Sequence, residues 1–479
     1  MKPLSTLLAD IAVDQVIGDT TTNVLAVSAD SRHVTAGTLF VAIRGTQVDG
    51  HAYIAQAIAA GSTVVVCEKL PTDPSSGITY VKVPHSAQAL GHIAASFYDH
   101  PSRKMRVVAV TGTNGKTSTV YLLYSLFQQL GYPTGMLSTI HNKVGDETLP
   151  ARLTTPDPVA LQSTLARMAD HGCQYCFMEA SSHAIVQERL AGLQLSGAVF
   201  LNITHDHLDY HHTFDNYIKA KKKLFDELPP EAFALFNVDD KRGTVMVQNT
   251  AAPPHRFALK QLADFTAKRL SNTLEGLELQ IGGHATWFRL IGNFNAYNLL
   301  AAYATACLLG EDSTHVLTAL SALPPIPGRF QYLRAPAGFS AIVDYAHTPD
   351  ALKNVLSTIV QVKGKAGKIV TVVGCGGDRD PHKRPIMAQI ACQYSDKVIF
   401  TADNPRGEAP EKIIQDMKAG LKPAQQRQAL VIIDRAEAIK TACSLAQPHD
   451  IVLVAGKGHE TYQEIQGKRY PFDDCQVLS

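Results

Sequence analysis

The feature that most constrains this sequence is a segment that runs from an apolar strand through a glycine-rich turn into a helix. Residues 107–110 are Val-Val-Ala-Val, and a helix-like run follows from 119 to 130. Between them lies Thr111-Gly112-Thr113-Asn114-Gly115-Lys116-Thr117-Ser118, a short form of a known loop, with Val110 where the common pattern has glycine. Backbone N–H groups of such a turn and the start of the helix bind phosphates. The segment therefore predicts a nucleotide site, with Lys116 at the outer phosphates and Thr117 at a magnesium ion.

The length and charge of the chain limit its class. At 479 residues the chain exceeds one ordinary hydrophobic core, so two or three domains are expected. A net charge of +1 gives no indication of a nucleic-acid or membrane-surface partner. No apolar run is long enough to span a bilayer, and the first residues lack the apolar stretch of a secretory signal. We therefore expect a protein of the cytoplasm.

The eight cysteines do not form a recognisable metal or disulfide pattern. Cys173 and Cys176 make one C-x-x-C pair, but no second ligand pair accompanies them and the surrounding stretch is apolar. We expect buried free thiols, as is typical of a reducing compartment.

The order of strands and helices predicts an α/β fold of three domains, at residues 1–101, 102–328 and 329–479. The first domain alternates short apolar runs with helix-like stretches, which is typical of a small α/β domain. The second opens at the nucleotide loop and has further strand candidates at 174–178 and 197–203, which suits a parallel sheet. The sequence Leu-Pro-Pro-Ile-Pro-Gly at 323–328 interrupts regular structure and marks a boundary.

The third domain is predicted to be a Rossmann-like parallel sheet. Its apolar strand candidates lie at 341–343, 369–373, 398–400 and 451–454, and each runs into a polar or glycine-rich loop. Ligands of open parallel sheets bind outside the carboxyl ends of the strands. The four loops therefore predict a substrate site.

Glu179 and His207 follow two predicted strands of the second domain. We expect both on the same rim of the sheet as Thr117. Each residue taken alone is more often a solvent-exposed or capping residue. Together, a carboxylate, an imidazole and a hydroxyl beside bound phosphates predict a magnesium environment.

Lys221 has an unusual position on the predicted helix at 214–228. The apolar residues of this helix that fall within about 60° of one direction are Phe214, Tyr217, Ile218, Leu224, Phe225 and Leu228. Lys221 points along the centre of that stripe, whereas the neighbouring lysines point away. A buried ammonium is unfavourable unless it is paired or neutral, and a neutral amine can take up carbon dioxide as a carbamate.

Three further residues are candidates for nucleotide contacts. Asn295 and Asn298 precede and begin an alanine- and leucine-rich helix, which they could cap, or they could bind the adenine ring. Arg329 follows the proline-rich boundary and could reach the phosphates from the domain junction, although a lone arginine is usually a surface residue.

The sequence Asp403-Asn404-Pro405-Arg406 suggests how a substrate is selected. A guanidinium in a turn fixed by proline suits a bidentate grip on a carboxylate. Arg379 could provide a second such contact, and Glu460 could hold an ammonium. The set describes a pocket for a zwitterion with an additional carboxylate. The alternative is a group of ordinary turn residues with local ion pairs.

A competing interpretation comes from Gly374-Cys375-Gly376-Gly377, which imitates a dinucleotide-binding fingerprint, with Asp403 where a ribose-binding acid would lie. Because Arg379 occupies the place of the third glycine, a cofactor-binding oxidoreductase is a weak competitor.

Taken together, these motifs resemble those of the Mur ligases of peptidoglycan synthesis. The motifs that carry the resemblance are the nucleotide loop, Asp206-His207-Leu208-Asp209-Tyr210-His211, Tyr217-x-x-Ala220-Lys221-x-x-Leu224-Phe225, Asn295-x-x-Asn298 and His347-Thr348-Pro349-Asp350. The similarity extends to Asp30-Ser31-Arg32 and Asp49-Gly50-His51 near the start. The Asp-Asn-Pro-Arg sequence is similar to that of members that add meso-diaminopimelate, whereas lysine-adding members lack this arginine.

The resemblance implies the following sites. ATP would be bound by Thr111 through Ser118, Asn295, Asn298 and Arg329, and magnesium by Thr117, Glu179, His207 and carbamylated Lys221. Lys116, Lys221, His207 and Glu179 would be the catalytic residues. The UDP end of a UDP-N-acetylmuramoyl dipeptide would lie at Ala29, Ser31, Thr46, Gln47 and Val48, and its muramoyl-peptide part at Leu153, Thr154, Thr155, Ser181, Gln187 and Arg189. Diaminopimelate would be bound by Arg379, Asp403, Asn404, Pro405, Arg406, Gly456 and Glu460.

The activity implied is ATP-dependent amide formation by a monomeric enzyme, through an acyl phosphate. Within the superfamily, a lysine-adding ligase or a folylpolyglutamate synthase is an alternative. From another class, the chain could be a nucleotide-driven switch that cleaves ATP without forming a bond.

Overall fold

The structure is a computed structural model that describes residues 1–45, 48–151, 153–364 and 367–479. In these residues, three main β-sheets follow one another along the chain, and helices cover them. The predicted α/β class, with a parallel central sheet and a parallel C-terminal sheet, is confirmed. Among the helices of the described ranges, none has the length and apolar character that crossing a bilayer requires.

The first sheet lies within residues 15–82. Its strands, in spatial order, are Gln15–Ile17, Thr79–Lys82, Val64–Cys67, Thr38–Val41 and Ala26–Ser28. The pairing at the Gln15–Ile17 edge is antiparallel and the others are parallel. Apolar side chains alternate between the two faces, so each face is covered by helices. These are Leu4–Leu7 and Ser86–Phe97 on one face and Ile54–Ala59 on the other.

The central sheet begins with the strand that feeds the nucleotide loop. Its strands, in spatial order, are Glu147–Leu149, Asn142–Val144, Thr134–Leu137, Tyr175–Glu179, Arg106–Thr111, Gly197–Phe200, Phe233–Asn237, Pro254–Ala258, Phe265–Asn272, Leu277–Ile281 and His284–Phe288. The strands from Thr134–Leu137 to Phe265–Asn272 are parallel, so their carboxyl ends form one rim.

Helices cover both faces of the central sheet because its strands are apolar on both sides. Those on one face are Lys116–Gln129, Asn293–Leu308 and Ser313–Ala322, and those on the other are Pro158–Asp170, Ser182–Val186 and Phe214–Asp226. The short helices Leu208–His211 and Gly243–Met246 lie in loops that follow strands.

The C-terminal sheet has the order Gln331–Arg334, Ser340–Asp344, Ile451–Ala455, Ile369–Val373, Lys397–Phe400 and Ala429–Val431. The Gln331–Arg334 edge is antiparallel and the other pairings are parallel. Its helices are Pro349–Val362, Lys383–Tyr394 and Pro410–Lys418 on one face and Arg435–Leu445 and Asp474–Leu478 on the other. A hairpin of Tyr462–Ile465 and Lys468–Pro471 follows the sheet.

Close backbone contacts join the first sheet's helices to the central part of the chain. A Cβ atom on Gly91 would lie 2.4 Å from the carbonyl oxygen of Ala191, and one on Gly192 would lie 2.7 Å from the carbonyl oxygen of Gly91. Only glycines allow this approach, so helix Ser86–Phe97 is closely packed on the loop after Ser182–Val186.

The crossing to the C-terminal sheet is equally close. Gly328 has φ of +64°, and a Cβ atom there would lie 2.1 Å from the backbone nitrogen of His459. The rings of Phe294 and Phe330 pack with centroids 5.8 Å apart across the same junction. The crossing therefore brings a C-terminal strand-end loop against the central sheet.

A fully buried ion pair holds the last helix against the C-terminal sheet. Arg435 donates to both carboxylate oxygens of Asp474 at 2.8 Å, and neither side chain is exposed. Arg435 also donates to the carbonyl of Ala455, at the end of a central strand. The pair therefore anchors the end of the chain beneath a strand-end loop.

We expect the replacement Asp474→Ala to destabilise the protein, because it leaves a buried guanidinium without its counter-ion. The free energy of unfolding should fall by about 3–5 kcal/mol. The control Glu437→Ala breaks an exposed ion pair with Lys440 and should change the free energy by less than about 0.5 kcal/mol. Thermal and denaturant unfolding measure both. Equal effects of the two replacements would contradict the importance of the buried pair.

Candidate active site

The nucleotide loop has the geometry that its sequence predicts. Strand Arg106–Thr111 ends at the loop, and helix Lys116–Gln129 begins at its last residues. Gly115 has φ of +89°, and a Cβ atom there would lie 2.4 Å from Oδ1 of Asn298. Glycine is therefore required at this position for two independent reasons.

Lys116 folds back over the loop. Its Nζ donates to the carbonyls of Gly112 at 2.8 Å and Thr113 at 3.0 Å. Burial lowers the pKa of Lys116, and the positive charge of Arg329 acts in the same direction. The amine is thus held at the loop, where an anion would stabilise its charge.

Arg329 reaches the nucleotide loop from the junction, as the sequence suggests. Its Nη2 donates to Oγ1 of Thr117 at 3.0 Å, and its guanidinium lies 4.5 Å from the ring centroid of Tyr345. Its Nε is buried without a hydrogen-bond partner among the described residues. One side chain therefore joins the C-terminal part to the start of the loop helix.

Asp350 provides a second contact across the junction, which the sequence analysis did not assign. Its Oδ2 accepts hydrogen bonds from Asn114 Nδ2 at 2.8 Å and Thr204 Oγ1 at 3.3 Å. Burial raises the pKa of Asp350. Its position in the first turn of helix Pro349–Val362, directly after the Thr-Pro start, was the signal available in the sequence.

A cavity of about 430 Å³ lies beside the loop, between the central rim and the helix Pro349–Val362. Its walls include Asn114, Gly115, Ser118, Asn237, Asp239, Tyr297, Asn298, Arg329, Asp344 and Asp350. Asp344 has a pKa raised to about 6 by burial, with Arg329 acting in the opposite direction. The size and polar walls suit the nucleoside part of a nucleotide.

The two asparagines do not cap their helix, so that alternative is wrong. The N-cap of Asn293–Leu308 is Gly292, and no side chain caps it. Asn295 donates to the carbonyl of Ile291 at 2.9 Å, and Asn298 donates to Oδ1 of Asn295 at 3.0 Å. Asn298 lines the cavity, and the hydrogen bond to Asn295 fixes the position of its amide.

Asp239 and Tyr297 are cavity residues that the sequence analysis missed. Tyr297 donates to Oδ2 of Asp239 at 2.8 Å, while Oδ1 of Asp239 is buried without a partner among the described residues. The available signal was the acidic pair at 239–240, shortly after the apolar run at 232–236.

Glu179 and His207 lie after strands on the same rim as Thr117. Glu179 is buried at the end of Tyr175–Glu179 and accepts from the backbone N–H of Thr139 at 2.7 Å. Burial lowers the pKa of His207 to about 4, so its imidazole is neutral at pH 7. Within the described ranges, no three His, Cys, Asp or Glu side chains are grouped as metal ligands. A metal here would need oxygens from other groups.

Lys221 is buried on the apolar face of Phe214–Asp226, as the helical pattern predicts. Its Nζ lies 3.0 Å from the carbonyl of Gly112 and 4.8 Å from the ring centroid of Tyr217. In the described part of the chain, no carboxylate pairs with it. Burial holds the pKa of Lys221 well below its ordinary value, and Lys116 lowers it further. This shift favours the neutral amine, the form that reacts with carbon dioxide.

The predicted peptide-binding residues near Glu179 form one hydrogen-bonded network. Thr155 Oγ1 donates to the Glu179 carbonyl at 2.8 Å and accepts from the Ser181 backbone at 3.2 Å. Arg189 donates to the Thr155 carbonyl at 2.8 Å and to Oε1 of Gln187. The structure therefore brings these residues together beside the rim.

Other predicted nucleotide-sugar residues are less closely grouped. Thr154 accepts from Thr139 at 3.0 Å, and Leu153 is exposed. In the first sheet region, Ala29 and Val48 are exposed, and Ser31 donates to Gln56 at 3.2 Å. Thr46 and Gln47 lie outside the described residues.

A second cavity, of about 310 Å³, lies at the carboxyl edge of the C-terminal sheet. The predicted diaminopimelate residues that line it are Arg379, Asp403, Asn404, Arg406, Gly456 and Glu460. His207 and Asp206 of the central rim line it too. The cavity is therefore polar and extends to the predicted metal side of the site.

Pro405 does not line this cavity, because its backbone packs behind it. A Cβ atom on Gly377 would lie 1.9 Å from the carbonyl oxygen of Pro405, and one on Gly374 would lie 2.4 Å from that of Thr401. The glycines at 374–377 thus allow two strand-end loops to pack together. This contact explains them without a dinucleotide.

Arg406 is held in a left-handed conformation with φ of +52°. Its Nη1 donates to the carbonyl of Gly377 at 2.8 Å, and its backbone N–H donates to that of Glu464. Among the described residues, the one side-chain hydrogen bond of Arg379 is to the carbonyl of Asp378 next to it. The guanidinium groups keep donors for a carboxylate.

The sequence analysis assigns Glu460 to an ammonium of the ligand, but its carboxylate is already hydrogen-bonded within the protein. Its Oε2 already accepts from Asn404 Nδ2 at 2.8 Å and from Lys457 Nζ at 3.1 Å. The sequence analysis missed Lys457, whose position in a Gly-Lys-Gly loop after a strand was the available signal.

Comparison with known proteins agrees with this geometry. Family models match as "Mur ligase family, catalytic domain" at 23–98, "Mur ligase middle domain" at 110–306 and "Mur ligase, glutamate ligase domain" at 328–458.

Curated relatives are similar over nearly the whole chain. The UDP-N-acetylmuramoyl-L-alanyl-D-glutamate–2,6-diaminopimelate ligase of Cytophaga hutchinsonii is 56% identical, over 98% of this chain and 97% of its own. That of Phocaeicola vulgatus is 52% identical, over 99% and 98%. A solved structure of a ligase with the same name is 33% identical, covers 100% of this chain and 98% of its own, and has a TM-score of 0.71. This chain belongs to the Mur ligase family of ATP-dependent ligases.

Proposed function

We propose that this chain joins meso-diaminopimelate to UDP-N-acetylmuramoyl-L-alanyl-D-glutamate with the cleavage of ATP, in cytoplasmic peptidoglycan precursor synthesis. The observation that carries the proposal is the second cavity, where Asn404 and Arg406 face His207 of the central rim. The charged cavity and the nucleotide loop therefore both lie at the junction between the central and C-terminal sheets. The names of the similar relatives support the same substrates.

The proposal gives each part of the chain a role. Residues 1–101 bind the UDP end of the nucleotide substrate, 102–328 bind ATP, and 329–479 bind the amino acid. One chain provides the residues of both cavities, so the proposal needs no second subunit.

The residues at the rim fit magnesium. Glu179 is a buried carboxylate with no side-chain cation within 4 Å among the described residues, and Thr117 offers a hydroxyl. His207 is neutral, as a metal ligand must be. Lys221, as a carbamate, would add a carboxylate-like oxygen. When bound, magnesium neutralises charge on the transferring phosphoryl group.

In the first step of the proposed mechanism, the terminal carboxylate of the D-glutamyl residue attacks the γ-phosphate of ATP. An acyl phosphate and ADP form. Lys116 and Arg329, which converge on the loop, balance the negative charge of the group in transfer. Arg189 and Thr155, in their shared network, orient the peptide end beside Glu179.

In the second step, the amine of diaminopimelate attacks the acyl carbon, and phosphate leaves from the tetrahedral intermediate. Arg406 and Arg379 grip the carboxylate at the far end of the amino acid, while Glu460 holds the ammonium there. Asp350 and Arg329 keep the C-terminal sheet against the nucleotide loop, so that water does not reach the acyl phosphate.

The first prediction from the proposed function concerns the dependence of ATP cleavage on the two organic substrates. ADP release, measured in a coupled assay, should require both the UDP-muramoyl dipeptide and diaminopimelate, because the acceptor carboxylate and the amine complete the reaction. Lysine should not replace diaminopimelate at equal concentration. ADP release that persists without either organic substrate would indicate a nucleotide switch. A preference for lysine would indicate a lysine-adding ligase.

The second prediction concerns Arg406. The replacement Arg406→Ala should raise KM for diaminopimelate, because a bidentate, charge-assisted contact contributes roughly 1.5–3 kcal/mol. KM for ATP should not change. The control Arg427→Ala removes an exposed arginine of the same domain and should leave every KM unchanged. An unaltered KM for diaminopimelate in the Arg406 variant would exclude this residue from substrate selection.

The third prediction concerns Lys221. Activity should collapse in Lys221→Ala and return in part with added short carboxylic acids, which can supply the missing oxygen ligand. The control Lys219→Ala changes an exposed lysine on the same helix and should retain activity. Full activity of the Lys221 variant without added acid would show that the lysine is only structural.

A further inference from the structure

A buried lysine beneath the amino-acid cavity has no part in the steps above. Lys457 follows strand Ile451–Ala455, and its side chain has no exposed surface. It does not line the cavity itself. A buried ammonium needs partners, and Nζ of Lys457 donates to Oδ1 of Asn404 at 3.0 Å and to Oε2 of Glu460 at 3.1 Å. Both partners do line the cavity.

These contacts fix the orientation of the Asn404 amide. Its Oδ1 accepts from Lys457 and also from the backbone N–H of Glu464, at 2.9 Å. With two donors on the oxygen, the amide nitrogen turns to Glu460 and donates to Oε2 at 2.8 Å. The asparagine is therefore locked by a cation on one side and a carboxylate on the other.

The same contacts make the two oxygens of Glu460 unequal. Oε2 accepts from both Asn404 and Lys457, whereas Oε1 accepts no hydrogen bond from the described residues. The side chain is 14% exposed, so part of the carboxylate faces the cavity. One oxygen is thus held from behind and the other is left for a ligand.

We propose that Lys457 is a positioning residue for the amino-acid substrate. It holds Asn404 and Glu460 so that one carboxylate oxygen receives the ammonium at the far, non-reacting end of the zwitterion. Lys457 acts through these two residues and does not contact the substrate. The inference rests on the proposed function, because it needs an amino acid in this cavity.

The test is steady-state kinetics of Lys457→Met, which keeps much of the side-chain volume and removes the charge. KM for diaminopimelate should rise by about tenfold or more, the effect of one lost charge-assisted contact. The kcat at saturation should stay within about threefold, and KM for ATP and for the nucleotide dipeptide should not change. This split separates positioning from a general structural loss.

The matched control is Lys440→Met. Lys440 pairs with Glu437 at 2.9 Å with the same spacing of three residues, but on an exposed helix face. All three KM values should match those of the unchanged protein. Lys457→Gln is the second variant, and it is judged by the same KM criterion if the methionine variant does not fold.

Three results would overturn the inference. These are an unchanged KM for diaminopimelate, an equal loss for all substrates, and failure of both neutral variants to fold, which would assign Lys457 to stability alone. A failure of the proposed function would be recognised separately. In that case the protein without any replacement would show no ADP release that depends on diaminopimelate.

Discussion

The contact of Arg329 with Thr117 is the interaction on which the arrangement of this molecule depends. It ties the carboxyl rim of the central sheet to the carboxyl rim of the C-terminal sheet, at the first turn of the loop helix. The nucleotide loop follows a strand of the central sheet, whereas most loops that line the second cavity follow strands of the C-terminal sheet. Neither rim alone therefore forms both cavities. Asp350 repeats the connection on the other side of the loop, through Asn114. The residues that line the two cavities therefore lie where the central and C-terminal sheets meet, and neither sheet alone provides them all.

Three basic side chains lie close to the nucleotide loop, and this arrangement favours the binding of an anion. Lys116, Lys221 and Arg329 converge on the loop, and within the described residues none of them forms an ion pair with a carboxylate. Burial lowers the pKa of Lys116 and of Lys221; the charge of Arg329 adds to the effect on Lys116, and that of Lys116 adds to the effect on Lys221, while Asp206 opposes both. A bound polyphosphate would favour the charged form of Lys116. The lowered pKa of Lys221 favours the neutral amine, the form that reacts with carbon dioxide.

Local patterns in the sequence predicted the fold class, the nucleotide loop and the buried face that holds Lys221, because each depends on residues close together along the chain. The contacts of Asp350 and Lys457 could not be predicted in this way. Asp350 meets Asn114 across 236 positions, and Lys457 meets Asn404 across 53. The capping interpretation of Asn295 failed because the helix begins at Asn293 with Gly292 as its N-cap, and the amide of Asn295 donates to the carbonyl of Ile291. The roles of the individual site residues remain predictions.

The charged walls of the second cavity are consistent with the proposed zwitterion that carries a second carboxylate. Arg406 and Arg379 present guanidinium donors, while Asp403 and Glu460 present carboxylates, so each end of such a ligand meets a complementary charge. Lysine has an ammonium but lacks a carboxylate at that end. Under the proposed function, lysine would bring no carboxylate to Arg406, whose ion-pair partner among the described residues is Glu464, with Oε2 3.8 Å from Nε of Arg406. The guanidinium of Arg406 donates to the carbonyl of Gly377, while its backbone N–H donates to the carbonyl of Glu464, so backbone and side chain are each held by one bond. Under the proposed function, selection would come from the fixed position of the Arg406 charge.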